Sequence, residues 1–225
     1  MNIRSRYLLL TLSCMIIISP LTAQSTKKIM NVAIFIHDGV EVLDFTGPGE
    51  VFSKAKDSTE NLFNVYTVAA GKKEILSNNF LRIIPNYSIE DCPNADIIIL
   101  PGGDTRIPLA DSNVIAWIIN SKKRDPIIMS VCTGAFLLAK AGLLDGKKAT
   151  THYCCQEGLA EKYPKITVVR GIRFVDNGDI LTTEGISAGI DGSLHLVSRL
   201  YGIEIARNTA KYMMYNWREE VFETR

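Results

Sequence analysis

The sequence predicts a single α/β domain built on a largely parallel sheet with helices on both faces. Three observations predict this class. Short β-branched runs recur along the chain, helical patterns separate them, and the runs at 96–100 and 127–131 are almost entirely apolar. Parallel strands have this character because helices cover both faces of their sheet. The order βαβα therefore predicts three layers, helix over sheet over helix.

The elements follow in chain order. Pro48 suits the first turn of a helix near residues 46–52, and an Asn177-Gly178 turn predicts a hairpin over 173–183. Residues 74–87 resemble a β excursion, and two final helices are expected from about Ala188 and about Glu204. The predicted strands of the main sheet are 32–36, 63–68, 96–100 and 127–131, and further helices are predicted around 114–119 and 135–139.

The first 23 residues predict a secretory signal. Arg4 and Arg6 precede an apolar run over 7–18, which is shorter than the roughly 20 apolar residues of a membrane span. We expect cleavage near Ala23, a polar joint over 24–30 and one domain over 31–225. The mature protein would then be periplasmic or extracellular and have no membrane contact, with lipid attachment at Cys14 as the minor alternative.

Charge and cysteine content exclude several classes of function. The chain has 25 Lys and Arg against 24 Asp and Glu, so its net charge gives no electrostatic reason to expect binding to nucleic acid. Apart from Cys14 in the predicted signal, the cysteines lack the spacing of a disulfide framework or a zinc site. These cysteines are Cys92, Cys132, Cys154 and Cys155.

Cys132 is the strongest candidate for chemistry. It joins a buried-type strand over 127–131 to an apolar helix through Cys132-Thr133-Gly134, the pattern of a nucleophile elbow with cysteine in place of serine. Open α/β sheets bind ligands at this edge, and the positive end of the following helix is expected to favour the thiolate. The alternative is a small buried cysteine before an apolar helix.

A glycine pair follows the strand at 96–100. The Gly103 N–H, together with the amide of Thr133, forms a candidate oxyanion hole, and an ordinary tight turn is the alternative.

Two acids follow the first strand and reach the same edge. Asp44 or Glu41 could transfer a proton to or from the sulfur or a substrate, although Asp44 could also be a helix cap and Glu41 a solvated side chain. His152 could pair with the cysteine but fits a polar core histidine as well. His37 and His195 are predicted to be structural.

Six motifs together resemble the DJ-1/PfpI superfamily, and most closely its isonitrile hydratase-like branch. The likeness covers about residues 31–217 in the family's order. It implies a flavodoxin-like, class I glutamine amidotransferase-like three-layer sandwich. The motifs are LDFTGP at 43–48, PGG at 101–103, SVCTG at 130–134, AGLLDG at 141–146, ATTH at 149–152 and AGID at 188–191.

The resemblance also implies roles. Cys132 would be the nucleophile, Asp44 the neighbouring acid, Thr133 a neighbour of the sulfur and Gly103 part of the backbone pocket. In an isonitrile hydratase-like lyase the thiolate would add to the terminal carbon of a small-molecule isonitrile. Asp44 would supply the proton to nitrogen, and water would release an N-substituted formamide without metal or cofactor. The family is commonly homodimeric.

Departures from the family keep other functions open. Thr133 stands where peptidase-like and amidotransferase relatives have histidine, which disfavours a Cys-His protease. Glu184 stands where hydratase relatives have a small residue, and its carboxylate could narrow the pocket or change the pocket's charge. Regulator relatives carry a DNA-binding module after this domain, whereas this chain ends at Arg225 and begins with a predicted signal. The alternatives are a ligand-binding or oxidative-stress sensor with an oxidisable Cys132, and a glyoxalase-like or amidase-like enzyme.

Overall fold

A seven-stranded sheet forms the centre of the computed structural model, which describes residues 28–58 and 60–219. The strands are β1 (Met30–Phe35), β2 (Lys56–Asp57), β3 (Glu60–Asn61), β4 (Phe63–Ala69), β5 (Ile75–Ser77), β6 (Leu81–Ile83), β7 (Tyr87–Ser88), β8 (Ile97–Leu100), β9 (Ile127–Val131), β10 (Lys148–Ala149), β11 (Thr167–Val168), β12 (Phe174–Asp176) and β13 (Ile180–Thr183). The helices are α1 (Val42–Lys54), α2 (Arg106–Ala110), α3 (Ser112–Lys122), α4 (Ala135–Lys140), α5 (Gln156–Lys162), α6 (Ala188–Tyr201) and α7 (Ile203–Tyr212).

The strand order confirms the predicted class. The central sheet runs β12-β13-β9-β8-β1-β4-β7, and every neighbouring pair is parallel except β12 with β13. That antiparallel pair is the predicted hairpin. Gly178 lies in its turn with a φ of 87°. Because the strands from β13 to β4 run in one direction, their carboxyl ends lie at one edge of the sheet.

Two apolar cores separate the three layers. One lies between the sheet and helices α1, α6 and α7, where Phe52 and Leu194 are fully buried. The other lies between the opposite face and helices α3, α4 and α5, where Ile118 and Leu137 are fully buried. This double coverage explains why β8 is apolar throughout and β9 is apolar except for Ser130.

Helix α1 begins earlier than predicted. It starts at Val42, so Pro48 is an interior residue of the helix and not part of its first turn. Asp44 therefore lies within the first turn of the helix and does not cap it, and Glu41 occupies the N-cap position without a side-chain hydrogen bond. The earlier start turns Asp44 inward, where it is fully buried.

The N-terminal predictions are tested only in part. Strand β1 begins at Met30, inside the segment predicted as a polar joint. The predicted signal over residues 1–23 lies outside the described residues, so export stays a prediction, as does the homodimer. Within residues 28–58 and 60–219, no helix is long and apolar enough to cross a bilayer.

Gly134 lets the elbow after β9 pack directly against the end of β8. A Cβ atom on Gly134 would lie 1.9 Å from the Leu100 carbonyl oxygen, so backbone would have to move. We expect Gly134→Ala to lower the free energy of unfolding by about 3 kcal/mol or more. Urea unfolding measures this loss.

Gly158 provides the matched control. It lies in helix α5 with no neighbour within 4 Å of an added Cβ, so Gly158→Ala should raise stability by about 0.5–1 kcal/mol. Similar effects of the two substitutions would contradict the packing described for Gly134.

Candidate active site

Cys132 lies at the carboxyl edge of the sheet in a strained backbone conformation. Its φ is 56°, in the left-handed region that non-glycine residues seldom adopt, and it stands directly between β9 and the short turn that leads into α4. The side chain is 6% exposed. This geometry is the strand-to-helix elbow that the sequence predicts.

The strand-end loop after β13 closes over the elbow. Gly185 has a φ of 72°, and a Cβ atom there would lie 2.4 Å from the Cβ of Cys132. Only glycine fits such a close approach. Sequence reasoning did not identify Gly185 as a site residue, although its position beside Glu184 at the end of a predicted strand was the available signal.

Asp44 reaches the same edge from the first turn of α1. Its Oδ2 accepts a hydrogen bond of 2.9 Å from the Gly102 N–H, and its Oδ1 has no hydrogen-bond partner among the described residues. Burial raises the pKa of Asp44 to about 7, with a smaller contribution from the negative charge of Glu41. The contacts with Gly102 and the Cys132 thiol oppose this rise.

The pKa of Cys132 differs from the expectation for a helix N-terminus. Burial, and next the neighbouring Asp44 carboxylate, raise it to about 12. The Thr133 amide and hydroxyl contact the sulfur and oppose this rise, but the following α4 has only six residues and does not overcome the desolvation. The prediction that the helix favours a resting thiolate is therefore wrong, and Cys132 rests as a thiol.

The candidate oxyanion hole needs one revision. The Gly103 N–H donates a hydrogen bond of 3.0 Å to Thr133 Oγ1, so it is already occupied. Thr133 Oγ1 also lies 3.0 Å from the Gly103 carbonyl oxygen, to which it can donate. Gly103 thus positions the threonine hydroxyl, and the Thr133 amide faces the sulfur.

The other two acids have different partners. Glu41 accepts a hydrogen bond of 2.9 Å from Asn78 at the site's rim. Glu184 is half-buried and accepts one of 2.9 Å from the Gln156 amide, which holds its carboxylate in place. Of the two acids near α1, the geometry brings Asp44 and not Glu41 against Cys132.

The three histidines have surroundings other than the Cys132 thiol. His152 Nδ1 lies 2.9 Å from Cys154 Sγ, so its neighbour is that thiol and not the nucleophile. His195 hydrogen-bonds Asp176 at 2.7 Å. His37 is buried, which lowers its pKa and keeps it neutral.

Besides Gly185, sequence reasoning did not identify Thr151, which supports the elbow. Thr151 Oγ1 donates a hydrogen bond of 2.8 Å to the Cys132 carbonyl oxygen and so supports the strained elbow. Its place beside His152 in an ATTH motif was the only signal in the sequence.

The arrangement can transfer one proton between sulfur and carboxylate. A thiol with pKa about 12 and a carboxyl with pKa about 7 share a buried edge, and Asp44 Oδ1 is free to exchange the proton with a third group. Such an acid-base partner activates a thiol without a resting thiolate.

Fold and site together define a class I glutamine amidotransferase-like α/β protein with a cysteine at its elbow. The chain belongs to the DJ-1/PfpI family, whose model matches residues 30–199. A ThiJ/PfpI family protein from Pseudomonas syringae has a similar structure, with a TM-score of 0.77 and 27% identity, covering 92% of this chain and 83% of that one.

Two curated relatives have different functions. An isonitrile hydratase from Pseudomonas putida is 34% identical over 179 residues, which are 79% of this chain and 75% of that protein. The HTH-type transcriptional regulator CdhR from Pseudomonas aeruginosa is 24% identical over 168 residues, 75% of this chain and half of the regulator's length. Family membership alone therefore does not decide the function.

Proposed function

We propose that this protein is a cysteine-dependent lyase that hydrates a small isonitrile to an N-substituted formamide. The observation that carries the proposal is the buried pair of Cys132 and Asp44, a thiol with a pKa of about 12 beside a carboxyl group with a pKa of about 7. The similarity to an isonitrile hydratase supports the choice of substrate.

The first step makes a bond between sulfur and carbon. Asp44, as the carboxylate, accepts the proton of the Cys132 thiol while the sulfur attacks the terminal carbon of R–NC. Asp44 then returns this proton to the same carbon, which gives the thioimidate R–N=CH–S–Cys132. The first proton thus ends on carbon, and nitrogen is protonated only in the next step.

The second step consumes water. Its oxygen adds to the thioimidate carbon, and one of its protons passes through Asp44 to nitrogen, giving R–NH–CH(OH)–S–Cys132. The C–S bond then breaks, the hydroxyl proton returns to sulfur, and R–NH–CHO leaves. In sum, one isonitrile and one water give one formamide, and the reaction needs neither an oxidant nor a reductant.

The site favours this reaction over a redox sensor. Sensor cysteines have a low pKa and are accessible to solvent, because the thiolate is the form that oxidants attack. Cys132 has the opposite properties, since it is buried and its pKa is raised. A catalytic thiol that is deprotonated only when the carbon is in place fits both properties.

We expect formamide formation from a small aliphatic isonitrile to depend on pH in one direction. Asp44 must be ionised to accept the thiol proton, and its pKa is about 7, so kcat/KM should fall about tenfold per pH unit well below pH 7. It should be flat between about pH 8 and 10, because the pKa of Cys132 is about 12. A pH series followed by proton NMR measures the profile.

The opposite profile would contradict this assignment. A rate that rises as the pH falls through 7 would mean that Asp44 must begin as an acid. Absence of formamide at every pH would exclude isonitrile hydration itself.

A further inference from the structure

A second cluster of nucleophilic side chains lies on the segment between β10 and α5. His152 Nδ1 is 2.9 Å from Cys154 Sγ, and Cys154 Sγ is 3.4 Å from Cys155 Sγ. All three donor atoms lie within 4.8 Å of one another. The proposed hydration uses none of them, so this cluster needs an explanation of its own.

The two vicinal cysteines do not form a disulfide bond with each other in this structure. Their sulfur atoms are 3.4 Å apart, far longer than the roughly 2.05 Å of a disulfide bond, and both thiols are free. Cys154 is exposed and Cys155 is half-buried, so solvent reaches the cluster from one side. Two thiols and an imidazole nitrogen therefore converge on a position that an ion can enter.

We propose that His152, Cys154 and Cys155 bind a thiophilic d10 cation, Zn²⁺ or Cu⁺, through two thiolates and one imidazole nitrogen. Thiolate and imidazole are the ligands that these ions prefer, and the same donors have little affinity for Mg²⁺ or Ca²⁺. Three protein ligands are sufficient for Cu⁺ and leave one position of tetrahedral Zn²⁺ to water on the exposed side. The sequence spacing predicted no metal site, because adjacent cysteines match no common zinc motif.

The donor distances require only a small adjustment. Bonds of about 2.0–2.3 Å at tetrahedral angles separate two ligand atoms by about 3.5–3.8 Å. The 2.9 Å separation between His152 Nδ1 and Cys154 Sγ must therefore widen by about 0.7 Å, and the 3.4 Å separation between the two sulfur atoms by about 0.4 Å. Rotation of the exposed Cys154 side chain can provide this.

Neighbouring hydrogen bonds hold the segment in place. The Cys155 N–H donates to the His152 carbonyl oxygen at 2.8 Å, and the buried Gln156 amide donates to the Thr151 carbonyl oxygen at 3.3 Å and to Glu184 at 2.9 Å. A site whose backbone is fixed before the ion arrives loses little entropy on binding. The same contacts make Glu184 part of the support for this cluster.

The cluster borders the candidate active site but does not depend on it. Thr151 connects the segment to the Cys132 carbonyl oxygen. The proposal does not rest on the proposed hydration, since binding is measured without isonitrile.

Titration of the purified protein with Co²⁺ under a phosphine reductant tests the site. Cobalt bound by thiolates gives charge-transfer bands in the near ultraviolet, and tetrahedral cobalt gives strong visible bands. We expect one equivalent to bind, Zn²⁺ to displace it, and Cys154→Ser and Cys155→Ser each to abolish the near-ultraviolet bands or halve them. His152→Ala should weaken binding at least tenfold.

Cys92→Ser and Cys132→Ser are the matched controls, and both should keep the bands and the stoichiometry. Circular dichroism of every variant establishes that the fold is retained. The proposal is overturned by wild-type protein without cobalt bands, by bands that survive in the double Cys154→Ser/Cys155→Ser variant, or by bands that vanish in Cys132→Ser.

A competition with a chromogenic Cu⁺ chelator identifies the preferred ion. Retention of Cu⁺ against the chelator by wild type and not by the double variant assigns the site to Cu⁺, and retention of Zn²⁺ alone assigns it to Zn²⁺. Failure to retain either ion better than the double variant overturns the site.

Discussion

Replacing Cys132 with alanine is expected to reduce formamide formation by at least about a thousandfold, to the uncatalysed rate. Alanine removes the only atom that forms the covalent bond to carbon in the proposed route. The side chain is small and buried, and Thr151 bonds to the backbone of residue 132, so the elbow should persist. The measurement is kcat/KM for the variant and the wild type at pH 8.

Cys92→Ser is the control for this variant. Cys92 is half-buried, lines a small cavity with Pro93 and Trp117, and precedes β8, at the edge of the parallel sheet opposite the elbow. It should keep the wild-type rate. Equal rates in Cys132→Ala and the wild type would remove Cys132 from the reaction.

Replacing Asp44 with asparagine is expected to lower kcat/KM by about 10²- to 10⁴-fold. Asparagine keeps an oxygen that accepts the Gly102 N–H bond, so the loop after β8 should stay in place. It cannot accept the thiol proton, however, and the pKa of Cys132 leaves almost no thiolate at neutral pH. Unchanged turnover would exclude Asp44 as the proton carrier.

Glu41→Gln gives the comparison for loss of a nearby acid. In the wild type, the Glu41 carboxylate accepts a hydrogen bond from Asn78, and its negative charge raises the pKa of Asp44. The variant should therefore keep most of its activity and move the acid limb of the pH profile to lower pH. A loss as large as that of Asp44→Asn would assign the proton transfer to Glu41 instead.

The main features of the fold could be predicted from local patterns. The run at 127–131 is apolar except for Ser130, and the structure confirms it as β9 with the same bounds. The Asn177-Gly178 turn correctly predicted the β12–β13 hairpin, because that turn requires a residue with positive φ. Such signals depend on a few neighbouring residues, so one sequence is sufficient to find them.

The electrostatics of the site could not be predicted in the same way. The raised pKa of Cys132 depends on burial and on Asp44, which is 88 positions away in the chain. The Gly103 N–H was assigned to an oxyanion, but Thr133 Oγ1 occupies it across 30 positions. The start of α1 was misplaced because Pro48 is a common first-turn residue, and only tertiary packing shows that the helix continues through it.

The most direct test of the covalent route is to find which residue carries the isonitrile carbon during turnover. Wild-type protein is mixed with an isonitrile labelled with ¹³C at its terminal carbon, quenched with acid at several times, digested and analysed by mass spectrometry. The label is expected on the peptide that contains Cys132, with the mass of one added isonitrile. Label on Cys154 or Cys155 with Cys132 unmodified, or formamide formed with no labelled cysteine at any time, would contradict the route.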